Sequence, residues 1–366
     1  MTNRWQKVGL GLLVGVPTVF ALAGWGGWQW WSQVTMPVAA SEPANASPTS
    51  ASPLRIEVPQ GATVREIGEI LRQAGLIRSV SAWELWARIQ GWQNRPGSFQ
   101  AGTYELSPRQ SMEAIANKIW EGEVVLSSFT IPEGWTIRQM AEYFEAEGLF
   151  SAAEFVQATE RIPRDRYPWL PPNLPKLEGF LFPDTYKFAG SLTPEAARDQ
   201  MLDRFEQVAL PLYQQNRTKT PYTLLEWVTL ASIVEKESVV DQERPVIAAV
   251  FARRLREGMP LGADPTVEYG LGIRQTVDQP LTYAQVQTPN PYNTYINPGL
   301  PPTPIASPGL ASLQESLNPP NTEFLYFMAR YDGTHIFSRT LAEHEAAKDA
   351  VDRSLRNQSQ KPSSSS

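Results

Sequence analysis

Two glutamates close an otherwise apolar run in "LASIVEKES" (residues 230–238). On a helix turning ~100° per residue, Glu237 projects from the face that carries Leu230, Ile233 and Val234, one turn beyond them. Glu235 points about 160° away, towards Leu224 and Val228, while Lys236 and Ser232 fall on an opposite, polar arc. A carboxyl at the edge of an apolar pocket loses solvation, which favours its neutral form and raises its pKa. That is the condition for a general acid working near neutral pH. The competing reading is a solvated helix end, because Glu-Lys-Glu in a last turn ordinarily faces water. The segment alone leaves both open.

Composition narrows the remaining chemistry. The 366-residue chain has no cysteine and only two histidines, His335 and His344. Disulfides, thiol nucleophiles and cysteine-bound metals are excluded, and two histidines nine apart fit no zinc motif. No G-x-S-x-G, P-loop or dinucleotide fingerprint occurs. The expectation is therefore no metal and no cofactor, with Asp, Glu, Tyr, Ser, Thr, Asn and Lys left to act. A net charge of −6 without a long basic block points away from nucleic acid.

The elements that must position these residues follow from pattern. Residues 1–7 hold Arg4 and Lys7, and residues 8–41 hold no charge. The stretch 8–31 reads as a transmembrane helix ending in an aromatic belt of Trp25, Trp28, Trp30 and Trp31. The positive flank places residues 1–7 in the cytoplasm and the rest outside, as a single-pass protein of the plasma (inner) membrane. A cleaved signal peptide is the competing reading. Residues 32–54, rich in Pro, Ala and Ser, read as a flexible linker, and 357–366 as a disordered tail.

An internal echo follows. "VPQGATVREIGEILRQAGLI" (58–77) and "IPEGWTIRQMAEYFEAEGLF" (131–150) align without gaps, each predicting a strand end, a Pro-x-Gly turn, a Thr-capped helix and a closing glycine. A partial third copy spans 106–124. The Pro-x-Gly-x-Thr opening resembles LysM repeats, so 55–125 is expected to be a LysM-like domain. Further on, helices are expected near 194–215, 222–238 and 243–258, nearly unbroken loop over 259–310, a hairpin turning at Asp332-Gly333, and a last helix from Thr340 to about Arg356. The proline- and aromatic-rich stretch 161–188 reads as a shaped loop beside a cleft.

Four strings then occur in order: "LEGFLFPDTY" (177–186), "ASIVEKES" (231–238), "GADPTVEYGLG" (262–272) and "PYNTYINPGLPPTPIASPG" (291–309). With them the chain, from about residue 55 to 355, resembles the membrane-anchored endolytic murein transglycosylases of the MltG (YceG-like) family. The resemblance implies an α+β fold with an N-terminal transmembrane helix, a LysM-like subdomain and a lysozyme-related catalytic domain, here 126–356. It implies Glu237, followed by Ser238, as the catalytic glutamate. The loop strings offer Tyr186, Asn293, Thr294, Tyr295, Thr266 and Glu268 as substrate-binding residues, with Glu235, Ser238, Glu178, Asp184 and Asp264 in support. For each of the loop residues a capped turn is the alternative.

The substrate implied is the peptidoglycan glycan strand, and the partners implied are the membrane and peptidoglycan synthases. One carboxyl would protonate the glycosidic oxygen between N-acetylmuramic acid and N-acetylglucosamine, then take a proton from the muramyl C6 hydroxyl as a 1,6-anhydro ring closes. A non-catalytic peptidoglycan-binding envelope scaffold and a hydrolytic muramidase are the alternatives. A pyridoxal-phosphate lyase fits poorly, because no lysine stands in a Schiff-base context and the N-terminus reads as an export segment.

Overall fold

The computed structural model describes residues 25, 27–41, 52–93, 95–276, 279–330 and 332–359. Backbone contacts divide the chain into two units, Met1–Ser127 with Lys187–Ser191, and Ser128–Tyr186 with Leu192–Ser366.

In the first unit, strand β1 (Leu54–Val58) leads through Gly61, at φ 79°, into α1 (Val64–Gln73). Thr63 and Glu66 form a capping box, each side chain accepting the other's backbone N–H. The helix closes through left-handed Gly75: its N–H donates to Arg72 C=O at 3.1 Å and Leu76 N–H to Leu71 C=O at 2.9 Å. Helix α2 (Val80–Trp92) follows, then β2 (Gly102–Leu106), antiparallel to β1 with Leu54 opposite Leu106 and Val58 opposite Gly102. Helix α3 (Met112–Glu121) carries the third copy's cap at Ser111 and left-handed stop at Gly122. Ile67, Leu71, Trp83, Tyr104 and Ile115 form the core, with Phe99 stacked on Trp83 at 4.5 Å.

The linker expected over 32–54 is in part held rather than free. Residues 27–35 are helical, and Trp31 and Val34 pack against this core. Trp31 Nε1 donates to Glu113 at 3.2 Å, Ala39 N–H to Pro108 C=O at 3.1 Å, and Arg78 to Pro37 C=O at 2.8 Å. Apolar side chains and unpaired backbone groups have found partners where composition suggested none. No helix among the described residues is long and apolar enough to cross a membrane. Residues 1–24 and 26, hence residues 1–7 and most of the expected anchor, lie outside the described residues, as do 42–51.

Strands β3 (Leu126–Thr130) and β4 (Thr185–Ala189) pair with each other, and the chain changes unit within each of them; the remaining elements belong to the second unit. Helix α4 (Ile137–Ala146) repeats the α1 signature: Gly134 at φ 74°, a Thr136–Gln139 capping box, and Gly148 and Leu149 N–H groups closing onto Glu145 and Phe144. Then come α5 (Ala152–Glu160), α6 (Pro194–Asn216), α7 (Leu224–Glu237), α8 (Arg244–Arg256), α9 (Asp264–Leu271), the single turn α10 (Tyr283–Val286) and α11 (Leu310–Leu317). The hairpin β5 (Tyr326–Ala329) and β6 (His335–Ser338) precedes α12 (Leu341–Ser359).

Three sequence expectations change. The stretch 259–310 is not all loop, since α9 and α10 lie within it; Pro265 sits in the first turn of α9, where its missing N–H is harmless. Helix α12 runs three residues into the expected tail. Helix α7 is not amphipathic but central: every residue from Trp227 to Val234 is buried, with α8, α9 and α11 against it. Ser232, expected on a polar arc, is fully buried; it donates to Thr229 C=O at 2.7 Å and accepts Ile305 N–H at 3.0 Å.

Candidate active site

Burial of α7 delivers its last residue, Glu237, to the rim of the core formed by Leu230, Ile233, Val234, Ile247, Phe251 and Leu261. The helix stops there because Ser238 leaves helical geometry, its N–H donating back to Val234 C=O at 2.9 Å. Glu237 is half-buried, so protein surrounds the carboxyl on most sides while solvent still reaches the residue. Among the described residues no hydrogen bond holds that carboxyl. Its pKa is pushed up to about 8, first by loss of solvation, then by the negative charges of Asp264 and Glu268, against the pull of Arg254 and Lys236. The negative end of the α7 macrodipole acts in the same raising direction. Glu237 is therefore mostly protonated at neutral pH and able to give a proton away.

Helix α9 supplies both neighbouring carboxylates. Asp264 Oδ1 accepts the Tyr295 hydroxyl at 2.6 Å, and burial raises that hydroxyl's pKa. Glu268 Oε1 accepts the Gln275 N–H at 2.7 Å. Asp264 and Glu268 are half-buried and Tyr295 is 38% exposed, so all three keep surface that a substrate can meet.

The other expected sugar contacts are placed differently. Tyr186 is buried, stacked on Phe129 at 5.0 Å, with its hydroxyl donating to Phe182 C=O. Asn293 is buried and donates to Val286 C=O at 2.8 Å and Thr288 C=O at 3.0 Å, while its Oδ1 accepts the Tyr295 N–H at 3.0 Å. The Thr294 and Thr266 hydroxyls share a bond of 2.9 Å inside the core, and Thr294 accepts the Ala263 N–H at 3.0 Å. All four are buried, and their polar groups are engaged by the protein itself. Asn293, Thr294 and Thr266 hold Tyr295 and the start of α9 in place, while Tyr186 braces Phe129 and Phe182.

Three supporting residues also act within the protein. Glu178 is 2% exposed and accepts the Ile137 N–H at 2.9 Å and the Tyr269 hydroxyl at 2.8 Å. Burial raises its pKa, and the two bonds and nearby Lys176 oppose that. Asp184 pairs with Arg204 at 2.7 Å and caps the Thr185 N–H. Glu235 accepts the Gly309 N–H. Ser238 Oγ is buried with no hydrogen-bond partner among the described residues.

Two further residues matter that the sequence did not single out. Glu133, the middle residue of the second Pro-x-Gly, lies over the α-carbon of Gly309, and its pKa is raised by burial and by Glu235. Its only signal was its place in the echo. Arg254 is a cation of α8 facing the site, and nothing in "FARRLREG" distinguished it from Arg253. Among the described residues no group of three or more His, Asp or Glu is placed to hold a metal ion.

Comparison with known proteins matches residues 56–350 to the YceG-like family. A Bacillus subtilis protein described as an endolytic murein transglycosylase is 31% identical over 313 residues, covering 82% of this chain and 85% of that protein. A protein of the same description from Streptococcus pneumoniae (strain D39) is 31% identical over 327 residues; the match covers 80% of this chain but only 58% of that protein. A crystal structure of a yceG-like protein from Listeria monocytogenes superposes with a TM-score of 0.55 at 32% identity, covering 81% of this chain and 100% of that one. A family match of this extent, carried through the strings that place Glu237, Asp264 and Tyr295, makes this chain a member of the YceG-like family.

Proposed function

We propose that this protein is an endolytic lytic transglycosylase that cuts the β-1,4 bond between N-acetylmuramic acid and N-acetylglucosamine in peptidoglycan, with Glu237 as its single general acid and base. The observation that carries this reading is a half-buried carboxyl, free of hydrogen bonds among the described residues and with its pKa pushed up to about 8, beside a partly exposed tyrosine. The family membership and the names of the relatives support the same reading.

The chemistry balances on one side chain. Protonated Glu237 gives its proton to the glycosidic oxygen as the bond from that oxygen to the muramyl anomeric carbon breaks. The resulting carboxylate takes the proton of the muramyl C6 hydroxyl, whose oxygen forms the new bond to the anomeric carbon. The acid is regenerated and no water is consumed. The substrate's acetamido group can shelter the positive charge in between, so no second carboxylate is required.

A hydrolytic reading has one observation in its favour: Asp264 and Glu268 stand near enough to influence Glu237 and one of them would activate water. One experiment separates the two. Glycan strands digested by the protein are compared by mass spectrometry with a muramidase digest. Muramyl ends lighter by one water, about 18 Da, support ring closure. Ends that retain the water make the protein a hydrolase, and intact strands make it a binding scaffold.

The uncharged run 8–31 after Arg4 and Lys7 supports a single-pass anchor with the remainder on the extracytoplasmic side. The compact β1-α1-α2-β2 unit supports a LysM-like module that captures strands without doing chemistry.

A further inference from the structure

Arg254 belongs to no expected site, yet its surroundings are unusually specific. It projects from α8, and its guanidinium donates to three backbone carbonyls: Leu325 at 2.6 Å, Leu261 at 2.7 Å and Pro260 at 3.3 Å. It also lies over the Tyr326 ring at 5.1 Å. These contacts tie α8 to the start of β5 and to the turn that leads into α9. At Gly262 an added Cβ would touch both Arg254 Nη1, at 3.5 Å, and Tyr295 Cε1, at 3.4 Å. The guanidinium and the Tyr295 ring therefore border the same bare face of Gly262, and the hydroxyl of that tyrosine donates to Asp264. Leu261 and Ala263, on either side of Gly262, pack in the same core as Ile233 and Val234 of α7.

We propose that Arg254 is the positioning residue of this site: a half-buried positive charge, held in place by backbone carbonyls, that stabilises Glu237 as a carboxylate between its two proton transfers, and that fixes the turn carrying Asp264. This rests on Glu237 being the acid and base.

The charges around Glu237 make the need concrete. Asp264 and Glu268 of α9 favour its protonated form, and Tyr295 stands beside them. Lys236 and Arg254 oppose them. Lys236 is exposed, and water and salt weaken its pull. Arg254 is not exposed, and carbonyl bonds fix it in place. Without it the acid would still hold its proton but would release it into an environment with no fixed counter-charge. A lysine could keep the charge but could not span three carbonyls with one planar group.

The test uses the full-length protein, with glycan strands as substrate and with ¹³C-glutamate labelling, the Glu237 signal being identified by its loss in Glu237→Gln. In Arg254→Met the Glu237 pKa read by NMR should rise, the alkaline limb of the kcat profile should move to higher pH with it, and kcat should fall at least tenfold at little change in KM. Arg254→Lys should keep the limb in place while kcat still falls. Lys236→Met should shift the limb less than Arg254→Met. An unmoved Glu237 pKa in folded Arg254→Met overturns the proposal, as does equal behaviour of the Met and Lys variants. If Arg254→Met does not fold, Arg254→Lys decides alone: wild-type kcat in that variant overturns the proposal. The NMR titration needs no activity, so it reads the Arg254–Glu237 coupling even if the transglycosylase reading fails, and that failure would show separately as an unaltered glycan or as muramyl ends that retain the water.

Discussion

Gly309 gives its backbone N–H to the Glu235 carboxylate at 3.0 Å, across 74 residues of sequence. Two positions later, Glu237 makes no such bond among the described residues. One helix end thus holds a carboxylate used as a clamp and a carboxyl left free for a proton. The variants should separate the two roles. Glu237→Gln should lose ~10²–10⁴-fold in rate and keep its fold, since general acid–base help is of that size. Glu235→Gln should lose less rate but some stability, because a neutral amide accepts the Gly309 bond more weakly. Release of anhydro-muramyl ends and thermal melting measure both. An active Glu237→Gln beside an inactive Glu235→Gln would reverse the assignment.

The displaced pKa of Glu237 also has a thermodynamic signature. The ordinary value is 4.5 and the folded value about 8, so between them the folded protein binds more protons than the unfolded chain. Stability therefore falls as pH rises through that window. Glu237→Gln removes this loss, so at about pH 9 it should be more stable than wild type by on the order of a few kcal/mol, with the advantage gone below about pH 4. Urea unfolding across pH measures this, and parallel curves for the two proteins would contradict it.

Gly179 packs against Pro304 and against Val228 of α7. Its φ is +84°, and an added Cβ would come within 2.6 Å of Pro304 Cγ and 3.0 Å of Val228 Cγ1. Gly179→Ala should combine backbone strain with overpacking against α7, a loss of about 2–5 kcal/mol. A melting temperature within a degree or two of wild type would show that the loop yields freely.

At the opposite end of α7 from Glu237, Thr223 and Glu226 form a capping box. Thr223→Ala should destabilise the protein by about 1 kcal/mol and leave kcat at 25 °C unchanged. Loss of kcat without loss of stability would mean that the acid's placement depends on the start of its helix.

Much of this arrangement was legible from residue types because local chemistry decides it. Thr63, Thr136 and Thr223 announce helix starts, Gly75 and Gly148 announce stops, and the spacing in "LASIVEKES" puts Glu237 beyond Leu230 and Ile233. What stayed hidden depends on partners far along the chain. Ser232 reads as polar surface until Ile305 arrives to use its hydroxyl. Asn293, Thr294 and Thr266 read as hydrogen-bonding groups for a sugar until they satisfy one another and the surrounding backbone. Helix α9 was masked by Pro265, which reads as a breaker everywhere except a first turn. Arg254 carried no signal, because its partners are carbonyls, which every residue has.

The clamp on α7 has a temporal side. The helix's last turn is held by Lys236 reaching Gly134 C=O at 3.4 Å, 102 residues earlier, and by Glu235 holding Gly309, 74 residues later. Closures across such separations carry a large entropic penalty and form late, after local helices are in place. During synthesis the acid is made well before the segment that steadies it. A chain released short of Gly309 would carry Glu237 on an unanchored helix end, so competence to cut would arrive only as the second half of the domain is completed.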